Sequence, residues 1–163
     1  MTIPTGAHVD PSSHDPVVEL TVLDHAECYR LLGTRQIGRL GVIAEHHPLI
    51  IPMNFAMDDD IIVVRSGPGL KLDSARHANV TFQVDDIDAA THTGWSVLIR
   101  GVAEEMTAAH HPKLIERTAR TGLQSWVPGD DLRWIRIIPH GISGRRITAR
   151  PGSEWSWGIG GLM

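Results

Sequence analysis

A closed β-barrel with helical covers is the fold class this sequence predicts. Three observations carry that reading. Six or seven short apolar runs follow one another along the chain. Acidic, Gly or Pro turns separate most of them at hairpin spacing, and one run alternates with a period of two. The segments with helical period are few and short, which suits covers on a barrel rather than a helical layer.

The first helix is predicted after Asp24, which can cap it, with Glu27 three residues on completing a capping box. Leu23 and Cys28 fall at the staple positions, and Leu31 and Leu32 extend the apolar face. Gly33 is expected to close the helix in a left-handed conformation. Strands are then read at Arg39 to Ala44, Leu49 to Met57 and Ile61 to Arg65, parted by Glu45-His46-His47-Pro48 and Asp58-Asp59-Asp60. A loop and a short helix from Lys71 to His77 interrupt the meander. It resumes with Val80, Phe82 and Val84 on one face and Thr81, Gln83 and Asp85 on the other.

Asp86-Ile87-Asp88 is read as the next turn, before a long strand from about Thr93 to Glu105 with a bulge at Gly101. Pro112 suits the start of a helix to about Arg120, and Gly122 its end. Trp134 to Pro139 and Ile142 to Ile147 are read as two final strands. Residues 1–18 are expected to be a flexible arm, residues 19–150 the barrel domain, and residues 151–163 a Gly- and Trp-rich tail.

Composition narrows the function. At 163 residues, 42% hydrophobic and 21% charged, the chain is expected to be one globular domain with a substantial core. A net charge of −4 argues against nucleic acid as a partner, which wants a basic field. No apolar run reaches the roughly 20 residues of a spanning helix, so no membrane partner is expected. A single Cys28 excludes an internal disulfide framework and fits a reducing cytoplasm. The ten histidines include the adjacent pairs His46-His47 and His110-His111, whose side chains seldom converge on one ion, so no metal site is expected. Asp85-Asp86-Ile87-Asp88 lacks the glycine and distal Glu of a calcium loop. Nothing resembles a nucleophile elbow or a Walker sequence.

The stretch Ile61-Ile62-Val63-Val64-Arg65-Ser66-Gly67-Pro68-Gly69-Leu70-Lys71 carries the strongest functional signal. An apolar strand ends in a cation and a hydroxyl, a Gly-Pro-Gly loop follows, and a second cation stands where a helix begins. Such loops turn backbone N–H groups inward, and a helix N-terminus adds the positive end of its dipole. Arg65 offers a planar fork, Ser66 one donor and Lys71 a point charge. A strand–turn–helix joint asks for the same Gly and Pro, so these residues alone leave phosphate site and plain turn both open.

Taken in order, Glu27-Cys28, Gly38-Arg39-Leu40, Ile51-Pro52-Met53-Asn54-Phe55, Arg65-Ser66-Gly67-Pro68-Gly69-Leu70-Lys71, Val84-Asp85-Asp86-Ile87-Asp88 and Thr93-Gly94-Trp95-Ser96-Val97 form a pattern. From about Leu20 to Ile147 it resembles the pyridoxamine 5′-phosphate oxidase-like proteins, in the small actinobacterial-type branch of flavin-binding split β-barrels. The resemblance implies a six-stranded split β-barrel that forms a homodimer, with flavin mononucleotide (FMN) in clefts between subunits. It implies that Arg65, Ser66 and Lys71 hold the flavin phosphate. Met53, Asn54 and Phe55 would lie along the isoalloxazine edge, and Trp95 and Ser96 would approach the ribityl chain or ring.

The function so implied is an FMN-dependent oxidoreductase acting on a small molecule, whose catalytic residues stay unnamed because hydride chemistry belongs to the flavin. The alternatives are a deazaflavin-dependent reductase of the same fold and a non-enzymatic flavin- or haem-binding protein, with His77 or His140 as an axial ligand. The chain departs from the family's namesake near its C-terminus. His140-Gly141-Ile142-Ser143-Gly144-Arg145-Arg146-Ile147 lacks the namesake's Arg-x-His arrangement, so pyridoxamine phosphate is not the expected substrate. Trp126, Trp134, Trp155 and Trp157 are candidates either for lining a substrate site or for ordinary packing.

Overall fold

Side chains that alternate between barrel and solvent build the wall. The computed structural model describes residues 18–44, 46–67, 78–126, 128–129 and 131–149. Seven strands form one antiparallel sheet: β1 (Val18–Leu23), β2 (Ile37–Ala44), β3 (His47–Asp58), β4 (Ile61–Ser66), β5 (Ala78–Asp88), β6 (Thr93–Met106) and β7 (Arg133–Ala149). Their order is β1-β7-β4-β3-β2-β5-β6, and β6 pairs back onto β7. Six strands thus close into a barrel, with β1 added beside the C-terminal half of β7. This is the expected six-stranded split β-barrel, with β1 paired outside the closed ring.

The core lies inside the wall. Leu40, Phe82, Val84, Val97, Ile99, Ile62, Val64, Ile135 and Ile137 turn inward and are almost wholly buried. Phe55 meets Phe82 edge-on, with ring centroids 5.2 Å apart. A Cβ at Gly38 would come within 2.3 Å of the Phe82 ring, so that glycine leaves room for the aromatic pair.

Helix α1 (His25–Leu32) begins as expected, with Asp24 Oδ1 accepting from the Glu27 N–H at 2.8 Å. The other half of the capping box does not form. The Glu27 carboxylate instead accepts from Arg30 Nε at 2.6 Å and from Arg146 at 2.5 Å, because charged donors outbid a neutral backbone N–H. Gly33 sits at φ −64° and ψ −12°, right-handed rather than left-handed. Its N–H bonds the Tyr29 carbonyl, so the helix tightens into its last turn without a reversal.

Three further expectations give way. Val18–Leu23 pairs with β7 along its whole length, although the arm was expected to reach Val18. Asp86, Ile87 and Asp88 belong to β5, and the chain reverses after them. Asp85 and Asp86 are held in the wall by Arg39 and Arg35, and Asp88 Oδ1 accepts from the N–H groups of Ala90 (2.8 Å) and Thr91 (3.3 Å). Finally, Trp134 to Pro139 and Ile142 to Ile147 are one strand. The expected irregularity at Gly101 explains this: the register shifts between Arg100 and Gly101, so Arg100 faces Gly141 while Gly101 faces Pro139. The ladder is already interrupted there, so the missing N–H of Pro139 breaks nothing. A Cβ on Gly101 would approach the Ile138 carbonyl to 2.5 Å. The Lys71 to His77 helix and the tail lie outside the described residues.

Candidate functional site

Arg65 and Ser66 end β4, where alternation sends Arg65 outward and Ser66 toward the barrel end. Across the ladder Arg65 faces Trp134 of β7, and its guanidinium carbon lies 4.9 Å from the centroid of that ring. The Arg65 Nε is buried and has no hydrogen-bond partner among the described residues. A charged donor in that state costs free energy until an acceptor arrives. Ser66 is buried, and among the described residues its hydroxyl makes only a long 3.3 Å bond to the Gly67 carbonyl. This donor set fits an oxyanion such as a phosphate. Lys71, the third residue named for that role, lies outside the described residues.

On β3, Met53 and Phe55 turn inward and pack on the barrel core, Phe55 with 2% exposure. What β3 offers outward is its backbone and Asn54. The Asn54 carboxamide is engaged at both its nitrogen and its oxygen. Its Nδ2 donates to the Gln124 carbonyl at 2.6 Å, and its Oδ1 accepts from the Trp126 N–H at 3.3 Å. These bonds fasten the segment after helix α2 (Pro112–Ala119) across the outer face of β3. A second fastening holds the helix itself. Buried Asp58 accepts from Arg117 Nε at 3.0 Å and from the Thr118 hydroxyl at 2.9 Å.

Between this arm and the wall opens a cleft of about 430 Å³, lined by Arg35, Gln36, Asn54, Ala56, Gln124 and Trp126 among others. Trp126 stands at 65% exposure there. Trp134 instead stacks on Arg65, and the other two tryptophans named as candidates fall outside the described residues.

Trp95 and Ser96 are set apart from Arg65. Trp95 is buried, with the Arg35 guanidinium 5.9 Å from its ring centroid, and it faces Arg146 on β7, whereas Arg65 faces Trp134. Ser96 faces Asp85 on one side and Arg145 on the other. Continuing the registers around the wall puts Arg65, Asn54, Ile37, Asp85 and Ser96 on one outward row. From β4 to β6 that row crosses four strand spacings, roughly 19 Å.

Sequence reasoning missed the Asp58–Arg117–Thr118 fastening and the engagement of Asn54, since nothing local links positions some sixty or seventy residues apart. Among the described residues no three His, Cys, Asp or Glu side chains gather as a metal site, and no helix is long and apolar enough to cross a membrane.

Known proteins share this architecture. The uncharacterized protein Rv0080 of Mycobacterium tuberculosis is 30% identical over 152 residues, covering 90% of this chain and 95% of its own. The structure of the FAD binding protein from Mycobacterium smegmatis superposes with a TM-score of 0.66 at 33% identity, covering 77% of this chain and 98% of that one. A FAD-binding protein from Mesorhizobium loti gives a TM-score of 0.65 at 26% identity, with coverages of 78% and 97%. The family model described as pyridoxamine 5′-phosphate oxidase matches residues 24–146, from the cap of α1 to the Arg146 that pairs with it. The chain belongs to the pyridoxamine 5′-phosphate oxidase-like family of split β-barrels.

Proposed function

We propose that this protein is a flavin-dependent oxidoreductase that grips the 5′-phosphate of a flavin mononucleotide unit with Arg65, Ser66 and Lys71. The observation that carries the proposal is the buried, unpartnered Arg65 Nε, held on Trp134 at the end of β4. The two structural relatives whose names record FAD binding support a flavin. The bound flavin would supply the hydride and electron chemistry. The chain's own residues anchor the phosphate, offer the β3 backbone beside Asn54 to the ring edge, and shelter that edge under the arm that ends at Trp126.

The substrate is a small organic molecule, and the protein works as a homodimer in the cytoplasm. Ile37, Ile43, Ile50, Leu98 and Ile138 are all more than a third exposed on the outer wall of the barrel, and a second copy would cover them. The same pairing would bring Trp95 and Ser96 of one protomer toward Arg65 of its partner, which a single chain keeps strands apart.

Titration of the purified protein with FMN, followed by visible absorption, tests the flavin. Saturable binding near one site per chain is expected. Lys71→Ala should weaken it by about 1.5–3 kcal/mol, the worth of a charged hydrogen bond. Unchanged affinity in that variant removes Lys71 from the site, and no binding by the wild type removes the flavin. Ile50→Asp should give a monomer by light scattering; a wild-type monomer would refute the dimer.

A further inference from the structure

Asn54, Ala56 and Asp58 alternate on the outward face of β3, while Phe55 and Met57 pack on the core. Asn54 and Asp58 are polar, yet they are only 8% and 7% exposed. Ala56, the smallest of the three, stands between them and is more exposed than either.

The chain that crosses them accounts for this inversion. Asp58 holds Arg117 and Thr118, and Asn54 holds the Gln124 carbonyl and the Trp126 N–H. Two posts four residues apart on a strand span roughly 14 Å. The six residues from Thr118 to Gln124 could reach about 20 Å if extended, so there is more chain than the span needs. The excess bows off the wall and turns at Gly122, whose φ of +72° is left-handed and whose Cβ position meets nothing within 4 Å. Ala56 lies under the bow and lines the cleft of about 430 Å³. Val63, across the ladder from Ala56, is fully buried, and no described residue of β4 lines the cleft. The slot therefore opens from Ala56 toward Gly33, Arg35 and Gln36.

A slot floored by a sheet and roofed by a strap fixed at both ends accepts a flat group edge-first and refuses a bulky one. While both posts hold, the floor side chain decides what enters. Exposed Trp126, at the end of the strap, offers an aromatic face beside the opening.

We propose that Ala56 is the specificity-determining residue of this cleft, the small floor that admits a flat, unsaturated ring between β3 and residues 118–126. The proposal rests on the flavin reading, in which that ring is the isoalloxazine.

The test titrates the full chain and its Ala56→Gly, Ala56→Val and Ala56→Leu variants with FMN and with lumichrome, the flat ring system without ribityl chain or phosphate. Ligand fluorescence and the melting temperature are followed together. Affinity for both ligands should fall stepwise with the size of the side chain, by about tenfold or more at Ala56→Leu, as expected of an overpacked contact. Ala56→Gly should bind within about twofold of the wild type, which guards against a misfolded larger variant. FMN bound alike by the wild type and Ala56→Leu overturns the proposal and leaves the flavin reading standing. Lumichrome that follows the size series while FMN does not bind keeps the slot and removes the phosphate-bearing flavin. A loss that follows the melting temperature rather than side-chain size overturns the proposal, and binding of neither ring to the wild type overturns both readings.

Discussion

Helix α1 sits on β7 through side chains that leave water almost completely, whereas α2 is fixed to β3 by a polar network. In α1, Cys28 and Leu32 are fully buried and Leu31 nearly so. The helix approaches β7 so closely that a Cβ on Gly144 would lie 2.6 Å from Cys28 Sγ. Burial pushes the Cys28 thiol pKa upward, which makes it packing rather than a reactive thiolate. In α2, Thr118 alone is buried, and it is a polar residue whose hydroxyl serves Asp58. Apolar burial is non-directional and resists small displacements, while a hydrogen-bonded fastening opens as a unit once one bond is lost. The first helix is part of the barrel's stability. The second covers the cleft on polar bonds and is expected to open before the wall does.

The largest effect that would sharpen this contrast is Leu32→Ala, which should cost about 2–5 kcal/mol of global stability in a denaturant melt. Gly144→Ala comes next. The new methyl must displace Cys28 or Leu23, and about 1–3 kcal/mol is expected from overpacking. A neutral result at either position would mean that α1 does not share the core. Asp58→Asn should cost about 1–3 kcal/mol locally. Its signature is faster amide exchange confined to residues 112–126, with the global melt moved less than by Leu32→Ala. Exchange that rises evenly over the whole barrel would erase the distinction between the two helices.

The smallest effect concerns acid. Arg30 first, and Arg146 second, hold the Glu27 carboxyl down to about 2 from its ordinary value near 4.5. A folded-state pKa below the unfolded one stabilises the fold above about 4.5, and that contribution is lost as pH falls toward 2. Glu27→Gln should therefore flatten the pH dependence of the melting temperature in that window. An unchanged profile would mean that the link from α1 to β7 contributes nothing.

The inner wall was legible because burial imposes a strict alternation on Leu40, Val80, Phe82, Val84, Val97 and Ile99. β1 was not. Its apolar residues Val18, Leu20 and Val22 are exposed, so the pairing with β7 leaves no burial signal. In β7, Pro139 and Gly141 read as a break, yet a bulge absorbs the proline and close packing against Arg100 uses the glycine. The acidic run Asp85 to Asp88 resembled a solvated turn because its arginine partners come from β2 and the loop before it. At the site, Arg65 and Ser66 were marked by their loop, and Asn54 by the family pattern.

The central claim is that flavin lies between the end of β4 and the arm that Asn54 and Asp58 fasten over β3. Hydrogen exchange of the full chain, with and without saturating FMN, tests it most directly. New protection is predicted at Val64 to Ser66 and at residues 121–126, with α1 unchanged. Saturable FMN binding that protects neither segment would contradict it.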